Sequence, residues 1–274
     1  MKKIPQDIIG DIAILKFPYK TLWIIKKFKA WRFLKQNKNI NTILEKTEKF
    51  SGVLRIPTTK YLAGEKKFEA IYKENNCIFK FNINKTYFSP RLSNERKIIS
   101  EEVAKLAKNN SKILVCFAGI APYPITIAKQ LKNKTIKIIS NELNKDACNY
   151  AKENIKLNKL NKQIQLICGD ARNLPKKLNE KFDIILMPRP NLKNTFLKEI
   201  LQLSKKGTTI FYHGFGTKEE VINEIKRDTQ NKIGKINIRK AGDIGPHKYR
   251  WQASFKVLTN LKNTQSLEVS RDLK

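Results

Sequence analysis

With 274 residues and 41% hydrophobic content, the chain can bury a core in one large domain or two smaller ones, which excludes a disordered protein. It carries 56 lysines and arginines against 24 aspartates and glutamates, and this net charge of +32 favours a polyanionic partner, either nucleic acid or an anionic membrane surface. No apolar run approaches the roughly 20 residues of a membrane-spanning helix. Residues 1–20 also lack the layout of a signal peptide, so we expect a cytoplasmic protein with no membrane partner.

The first 85 residues predict a smaller α+β domain. Residues 5–16 alternate around Gly10 like a short pair of strands, and residues 20–36 predict a basic helix with Trp23, Phe28 and Trp31 at helical spacing. This helix either packs its apolar side on the domain or offers its lysines and arginines to nucleic acid. Several strand-like runs follow, in the order TILEK, GVLRIP, FEAIYKE, CIFKFNIN and TYF.

Residues 86–260 predict a second, larger domain that begins with a helix. This helix is expected to run to about Lys108, with Ser93 or Asn94 as its cap and with Glu95 and Arg96 in its first turn. The ordinary interpretation of such a pair is a capping carboxylate beside a solvated arginine. Both side chains would then point out of the helix N-terminus rather than into the core.

Residues 112–144 predict a strand, a helix and a second strand, with a tight turn of small residues at 118–122. The turn contains Gly119, and the second strand ends on Glu142. Small residues let a backbone approach a ligand, and a carboxylate at the end of the second strand can accept hydrogen bonds from both hydroxyls of a ribose. The alternative is an ordinary crossover with an exposed glutamate.

Strands and helices continue to alternate as far as residue 258. Helices are predicted over 145–159, 194–204 and 219–230, and strands over the segments between them. This order predicts an α/β fold, a doubly wound Rossmann-like sheet with an antiparallel closing strand. Ligands of such sheets lie at the carboxyl ends of the strands, where the pattern brings together Gly119, Glu142, Asp170 and the pair Pro188-Arg189. Residues 261–274 read as a polar C-terminal tail.

The cysteines and histidines do not predict a metal site. Four cysteines are widely spaced without a CxxC pair, and the chain has only two histidines. A disulfide framework is not expected in a chain this long with so few cysteines. Cys116 and Cys168 end apolar runs, where small buried side chains are expected.

Several motifs together resemble one family, the class I S-adenosylmethionine-dependent methyltransferases, and within it the archaeal and eukaryotic tRNA guanine-37 N1-methyltransferases of the Trm5 type. The most specific is YFSPRLSNER (87–96) ahead of FAGIAPYPI (117–125). The additional small N-terminal domain of that family is not expected here. The remaining carriers are DIIGDIAIL (7–15), SGVLR (51–55), YLAGE (61–65), NELNKDACNYAKENIKLNKL (141–160), GDAR (169–172) and MPRP (187–190).

The resemblance implies roles for particular residues. Glu95 falls where the family has its proposed general base for the N1 proton of guanine, and Arg55 matches an arginine thought to steady the base and the charge on its O6. Within the cofactor site, Glu142 would bind the ribose hydroxyls and Asp170 the adenine amino group. The positions implied to contact S-adenosylmethionine are Phe88, Arg96, Glu142, Leu143, Asp170 and Ala171, to which the loop pattern adds Gly119.

Three positions depart from the family pattern. Cys116 stands in place of the usual aspartate at the end of the first strand, and Ala121 in place of the second loop glycine. Pro188 replaces the asparagine of an Asn-Leu-Pro turn that contacts the cofactor and the target base. Either the backbone around Met187 and Pro188 takes over this catalytic position, or Arg189 does, or the target chemistry differs.

The first functional expectation is methylation of N1 of guanosine 37 in the anticodon stem-loop of tRNA by a monomeric enzyme. A second is a bifunctional or wyosine-pathway enzyme that also methylates C7 of the tricyclic nucleoside at position 37. Aminocarboxypropyl transfer is disfavoured because the chain reads Phe88-Ser89-Pro90-Arg91 where that transferase tends to show Gly-Asn. A non-catalytic RNA-binding protein of the same fold is the third. Tyr212, His213 and Tyr249 are considered for stacking on a flipped base.

Overall fold

A four-stranded sheet opens the chain in the computed structural model, which describes residues 4–47, 57–245 and 248–259. Strands β1 (Gln6–Ile9) and β2 (Ile12–Leu15) form the predicted antiparallel pair. Gly10 turns between them at a φ of +58°, and a Cβ there would lie 2.2 Å from the carbonyl oxygen of Ile71, so no other residue fits. Strand β3 (Thr42–Lys46) pairs in parallel with β2, and β4 (Thr59–Gly64) pairs antiparallel with β3. Most of the predicted run GVLRIP lies outside the described residues.

Helix α1 (Trp23–Gln36) covers one face of this sheet, as the helical spacing predicted. Ala30 is buried against the sheet together with Leu15 and Ile43, and Phe33 and Leu34 pack at the edge of the same cluster. The apolar side of the helix is wider than this contact. A second row of large apolar side chains stays exposed to solvent, comprising Trp23, Ile24, Ile25, Phe28 and Trp31.

Strands β5 (Glu69–Glu74) and β6 (Cys77–Asn82) form a separate antiparallel hairpin. Its two turn residues, Asn75 and Asn76, have φ values of 48° and 59°. A two-residue loop with positive φ at both positions matches the right-handed twist of the strands, and asparagine tolerates this conformation well. Because Ile9, Ile12 and Leu44 share one buried cluster with this hairpin and with the main sheet, the N-terminal sheet packs directly on the rest of the protein.

The main sheet has seven strands in the order β12-β13-β11-β10-β7-β8-β9. The five strands from β11 to β9 are parallel, and β13 is antiparallel to both of its neighbours. The doubly wound sheet is thus confirmed, although the antiparallel strand is covered by β12 at the edge. The strands are β7 (Ser111–Val115), β8 (Ile136–Glu142), β9 (Ile164–Cys168), β10 (Phe182–Met187), β11 (Ser204–Gly216), β12 (Asn237–Gly245) and β13 (Lys248–Lys256).

Helices cover both faces because alternate residues of the strands are buried on opposite sides. Ile113 of β7 joins the core beneath α2, α3 and α4, whereas Leu114 joins the core beneath α5, α6 and α7. The helix predicted over 194–204 is shorter, because β11 already begins at Ser204. The helices are α2 (Ser93–Leu106), α3 (Pro122–Gln130), α4 (Lys145–Leu157), α5 (Leu174–Lys177), α6 (Leu197–Leu201) and α7 (Lys218–Asp228), with 3-10 turns at Pro90–Leu92 and Ala171–Asn173.

Two asparagines tie the hairpin to α4. The side-chain amides of Asn154 and Asn158 each bond the backbone N–H and C=O of one residue of β6, with Asn154 on Lys80 and Asn158 on Ile78 at 2.7 to 3.1 Å. They supply the outer edge of the hairpin with the pairing that a third strand would otherwise provide. The hairpin is thereby fixed on α4. The division of the chain into residues 1–85, 86–260 and 261–274 stays a prediction, and residues 261–274 lie outside the described part of the chain.

Some local predictions are wrong. Neither Ser93 nor Asn94 caps α2 with its side chain; the 3-10 turn leads into the helix instead. Cys116 is buried as expected, but Cys168 is exposed and forms a disulfide with Cys148, which its spacing did not predict. Among the described residues no helix has the length and apolar composition needed to span a bilayer.

Candidate active site

A cleft opens at the carboxyl ends of β7, β8, β9 and β10, where the sequence predicted a ligand site. It brings together all of the predicted positions on these strand ends, namely Gly119, Glu142, Asp170 and Pro188. The other predicted cofactor positions, Phe88, Arg96, Leu143 and Ala171, line the same cleft. Three further residues with polar side chains line it, namely Tyr123 of α3, His213 of β11 and Arg250 of β13.

The loop after β7 has an unusual backbone. Phe117, Gly119 and Ala121 have φ values of 55°, 57° and 67°, which lie in the left-handed region. For a residue other than glycine this conformation costs roughly 1–2 kcal/mol. A glycine, which the family has at position 121, would adopt the same backbone conformation without the strain that Ala121 has. Cys116 points into the core beneath α5 to α7 and does not line the cleft.

Glu142 holds this loop in place. One carboxylate oxygen accepts the backbone N–H of Gly119 at 2.7 Å, and the other accepts that of Asn144 at 2.8 Å. Burial raises the pKa of Glu142, and these backbone hydrogen bonds offset only part of that effect. Each carboxylate oxygen has a second lone pair, so the side chain can still accept hydrogen bonds from a diol.

Another part of the cleft lining combines apolar walls with one carboxylate. Leu143 is exposed toward solvent, and the rings of Phe117 and Phe196 meet edge to face at 4.9 Å. Asp170 is held by Arg172, whose Nε lies 3.0 Å from Oδ2, and this bond lowers the pKa of Asp170. A flat, partly apolar ring with a polar edge suits these walls.

Glu95 and Arg96 are both buried, which corrects the expectation that they point out of the helix. Arg96 forms a two-point ion pair with Glu74 of β5, donates to the carbonyl of Ser89 at 3.0 Å, and lies over the ring of Phe88 at 4.8 Å. The side chain predicted to contact the cofactor therefore also braces the segment that lines the cleft.

The carboxylate of Glu95 is bound by a partner that the sequence did not indicate. Arg239 of β12 donates from Nη1 to Oε2 at 2.6 Å and from Nη2 to Oε1 at 3.0 Å. His213 Nε2 lies 3.5 Å from Oε1. Burial acts to raise the pKa of Glu95, but hydrogen bonding to His213 and Arg239 and the charge of Arg239 outweigh it and bring the pKa below its ordinary value. Glu95 is therefore ionised at neutral pH.

Comparison with known proteins agrees with this geometry. A model of the TRM5/TYW2 methyltransferase domain matches residues 70–238, and a model of the TYW2 N-terminal domain matches residues 4–67. The chain belongs to the TRM5/TYW2 methyltransferase family. The small N-terminal sheet is accordingly the counterpart of a recognised N-terminal domain.

Individual TRM5/TYW2 proteins resemble the chain over most of its length. It is 36% identical to the Nanoarchaeum equitans tRNA (guanine(37)-N(1))/4-demethylwyosine(37)-methyltransferase Taw22, over 92% of this chain and 99% of that protein. The crystal structure of Trm5b from Pyrococcus abyssi superimposes with a TM-score of 0.77 at 30% identity, covering 93% of this chain and 75% of that one. The complex of aTrm5 with tRNALeu gives a TM-score of 0.80 at 25% identity, covering 93% and 72%.

S-adenosylmethionine is the cofactor of this methyltransferase, and the cleft fits it. A Cβ on Gly119 would meet no atom closer than the carbonyl oxygen of Tyr87 at 3.6 Å, so the loop leaves room beside Glu142. Glu142 would hold the ribose diol, and Asp170 would face the adenine between the apolar walls. Residues of this chain would therefore form the binding site for S-adenosylmethionine.

The guanidinium of Arg189, one of the residues considered for the position of the family's asparagine, is engaged by neighbouring protein groups. Its guanidinium is almost fully buried, pairs with Glu224 at 2.7 Å, and donates to the carbonyls of Leu192 and Asn194 at 2.8 and 3.3 Å. These bonds fold the 188–194 loop on itself. Pro188, Arg189 and Pro190 all line the cleft at this position.

The remaining predicted residues differ in outcome. Arg55 lies outside the described residues. Tyr212 is buried and its hydroxyl bonds Glu224, so it does not stack on a base. Tyr249 packs against Trp251, whereas His213 lines the cleft. The sequence did not indicate Arg239 as the partner of Glu95, because the two residues are 144 positions apart and Arg239 lies in a strand that carries no motif.

Proposed function

We propose that the protein transfers a methyl group from S-adenosylmethionine to N1 of guanosine 37 in tRNA, acting as a monomer in the cytoplasm. The observation that carries the proposal is Glu95, a buried and ionised carboxylate that lies 3.5 Å from Nε2 of His213, a residue of the cleft wall. Support for tRNA as the partner comes from the net charge of +32 and from the similarity to a protein solved with tRNALeu.

Glu95, Arg55 and Glu142 each have a different role in the proposed reaction. Bound S-adenosylmethionine supplies an electrophilic methyl group on a sulfonium. As the bond from that carbon to guanine N1 forms and its bond to sulfur breaks, the N1 proton passes to a carboxylate oxygen of Glu95. Arg55, by resemblance to the family, would face O6 and stabilise the negative charge that develops there. Glu142 fixes the ribose, so the cofactor is aligned before the base arrives.

The experiment uses purified protein, labelled cofactor and tRNA transcripts that differ only in G37 or A37. The proposal expects label on the G37 transcript alone, with 1-methylguanosine as the digested product. The Glu95→Gln variant should reduce the single-turnover rate at least about 100-fold while leaving tRNA affinity intact. Glu101→Gln, on the same helix, is the matched control. Equal label on both transcripts, or a Glu95→Gln defect confined to affinity, would contradict the proposal.

A second methylation, at C7 of the tricyclic wyosine precursor, is the second candidate function. It is favoured by the similarity to a relative named for both guanine-37 and 4-demethylwyosine substrates, and by Pro188, which removes the side-chain amide that the family uses at this position. The test is tRNA that carries 4-demethylwyosine at position 37, analysed by mass spectrometry. A gain of one methyl group supports the bifunctional enzyme, a larger gain indicates aminocarboxypropyl transfer, and no gain leaves guanine N1 as the target.

A further inference from the structure

The bond between Arg239 and Glu95 joins a residue of β12 to the first turn of α2. The carboxylate of Glu95 is only 6% exposed, whereas the side chain of Arg239 is 33% exposed. Both Nη atoms of the guanidinium are used, one on each carboxylate oxygen. A bidentate arginine fixes both the charge and the plane of a carboxylate, which a lysine or a single hydrogen bond does not.

We propose that Arg239 is a positioning residue for methyl transfer, which keeps the Glu95 carboxylate ionised and in a single orientation. This inference rests on the proposed role of Glu95 as the proton acceptor. Neither residue is part of the cleft lining, but Glu95 lies next to His213, which is, and Arg239 bonds the carboxylate of Glu95. Arg239 therefore acts on the reaction through Glu95.

Sheet register explains why Arg239 reaches Glu95. Arg239 is the direct partner of Gln252 in β13, and Gln252 is in turn the direct partner of His213 in β11. Residues that pair directly across strands point to the same face of a sheet. Arg239 and His213 therefore stand in one row on the face covered by α2, with the carboxylate of Glu95 between their ends. The register shift in β12 comes only after this row, between Lys240 and Gly242.

Other polar groups around Glu95 do not replace the arginine. His213 on β11 is fully buried, which lowers the pKa of its imidazole, so it is neutral at neutral pH. Tyr123 on α3 faces the same region, and burial together with the Glu95 charge raises its pKa. Glu102 lies on the other side of the guanidinium, 3.8 Å from its Nε, and Arg250 acts on His213 from β13. Among the described residues, Arg239 is the one cation hydrogen-bonded to Glu95.

Loss of Arg239 should change how Glu95 titrates. A buried carboxylate without its cation is protonated more readily, and an opposite charge at this distance typically moves a carboxyl pKa by about one to three units. In Arg239→Met the acid limb of the pH–rate profile should move upward by about one unit or more, and the rate should recover as the pH is raised. Arg239→Lys should shift less, because it retains the charge.

The test is the single-turnover rate of methyl transfer to tRNA across pH, at saturating tRNA and cofactor, with both affinities measured separately. Lys240→Met is the matched control: it removes a charge from the next residue of β12, which pairs with Asp243 rather than with Glu95. Thermal unfolding and cofactor binding establish that each variant is folded. Combining Arg239→Met with Glu95→Gln should give no further loss beyond Glu95→Gln alone, since no carboxylate remains to be positioned.

The outcomes separate the inference from the proposed function. If wild-type protein forms no 1-methylguanosine, or if Glu95→Gln retains the full rate, the proposed function fails. If wild-type protein is active and Glu95→Gln is impaired, but Arg239→Met keeps the wild-type pH profile or loses only tRNA affinity, the role of Arg239 is refuted. Equal loss at every pH refutes it as well, because a structural defect does not depend on the ionisation of Glu95.

Discussion

Arg96 of α2 and Glu74 of β5 form an ion pair in which only 2% and 3% of the side chains are exposed. One guanidinium nitrogen donates to Glu74 at 2.6 Å and to the carbonyl of Ser89 at 3.0 Å. The pair thereby connects the β5–β6 hairpin with the Phe88–Ser89 segment at the edge of the cofactor cleft. A charge so deeply buried is stable only while its partner is present.

The first prediction concerns this pair. Glu74→Gln leaves the Arg96 guanidinium buried without a counter-charge and should lower the free energy of unfolding by about 3–5 kcal/mol. Urea denaturation measures the change. The matched control is Glu69→Gln on the same strand, where the salt bridge to Lys80 is at the surface and its loss should be below about 1 kcal/mol. An equal decrease in the free energy of unfolding of the two variants would show that burial of the Arg96–Glu74 pair makes its loss no more destabilising than that of a surface pair.

The second prediction concerns Glu142 and pH. Because burial raises its pKa, Glu142 is protonated at a higher pH than an ordinary carboxyl group. Its protonated form accepts ribose hydrogen bonds poorly, so cofactor affinity should be complete above the raised pKa and should fall, by about tenfold per unit, as the pH drops below it. Calorimetric titration with S-adenosylmethionine at several pH values measures this.

Glu142→Gln provides the control for that titration. The variant should bind the cofactor roughly 10- to 100-fold more weakly at neutral pH, which is the usual contribution of charge-assisted hydrogen bonds, and its affinity should no longer depend on pH in the acid range. Asp146→Asn, which removes a surface carboxylate from the first turn of α4, should behave like the wild type. A wild-type pH dependence in Glu142→Gln would assign the titration to another group.

The sequence predicted the sheet and the strand-end residues because their signals are local. Apolar runs, turns and the spacing of Gly119 and Glu142 are readable within some thirty residues, and the structure places them as expected. The pairs Arg96 with Glu74 and Glu95 with Arg239 are different, since each joins separate elements and depends on register. A charged residue in a first helical turn is normally solvated, so only the position of the partner shows that these two are buried.

The third prediction concerns the disulfide between Cys148 of α4 and Cys168 of β9, whose Cα atoms are 6.1 Å apart and 20 residues apart in sequence. Closing a loop of that length should stabilise the fold by about 3 kcal/mol. Urea denaturation with and without a reductant measures this, because the reductant should lower the midpoint of the wild type. The Cys148→Ser, Cys168→Ser double variant should begin at the lower midpoint and show no response. A reductant effect that persists in the double variant would have to come from another thiol.

The last prediction concerns the exposed side of α1. Trp23, Phe28 and Trp31 are 51%, 59% and 49% exposed, and lysines lie over two of these rings, with Lys35 Nζ 4.0 Å from the centre of Trp31. The helix has no acidic residue. Alternating rings and cations of this kind suit an RNA strand, because bases stack on the rings while phosphates meet the lysines. The surface is on the outer face of the N-terminal sheet, so its contact would be additional to that at the cleft.

Replacing three exposed cations of α1 by glutamine, Lys27, Arg32 and Lys35, should weaken tRNA binding at low salt and reduce the slope of log affinity against log salt by up to about two units. The matched control removes the same charge from α4 and the residues after it, at Lys152, Lys156 and Lys159, which are also exposed. Single-turnover rates at saturating tRNA should be unchanged in both variants, since neither touches the cleft.

If both triple variants lose the same affinity and slope, only net charge matters and α1 is not a specific contact. If the α1 variant alone loses both, the helix is a second RNA-binding surface, and Trp31→Ala should then weaken binding further without changing the slope, because stacking releases no counterions.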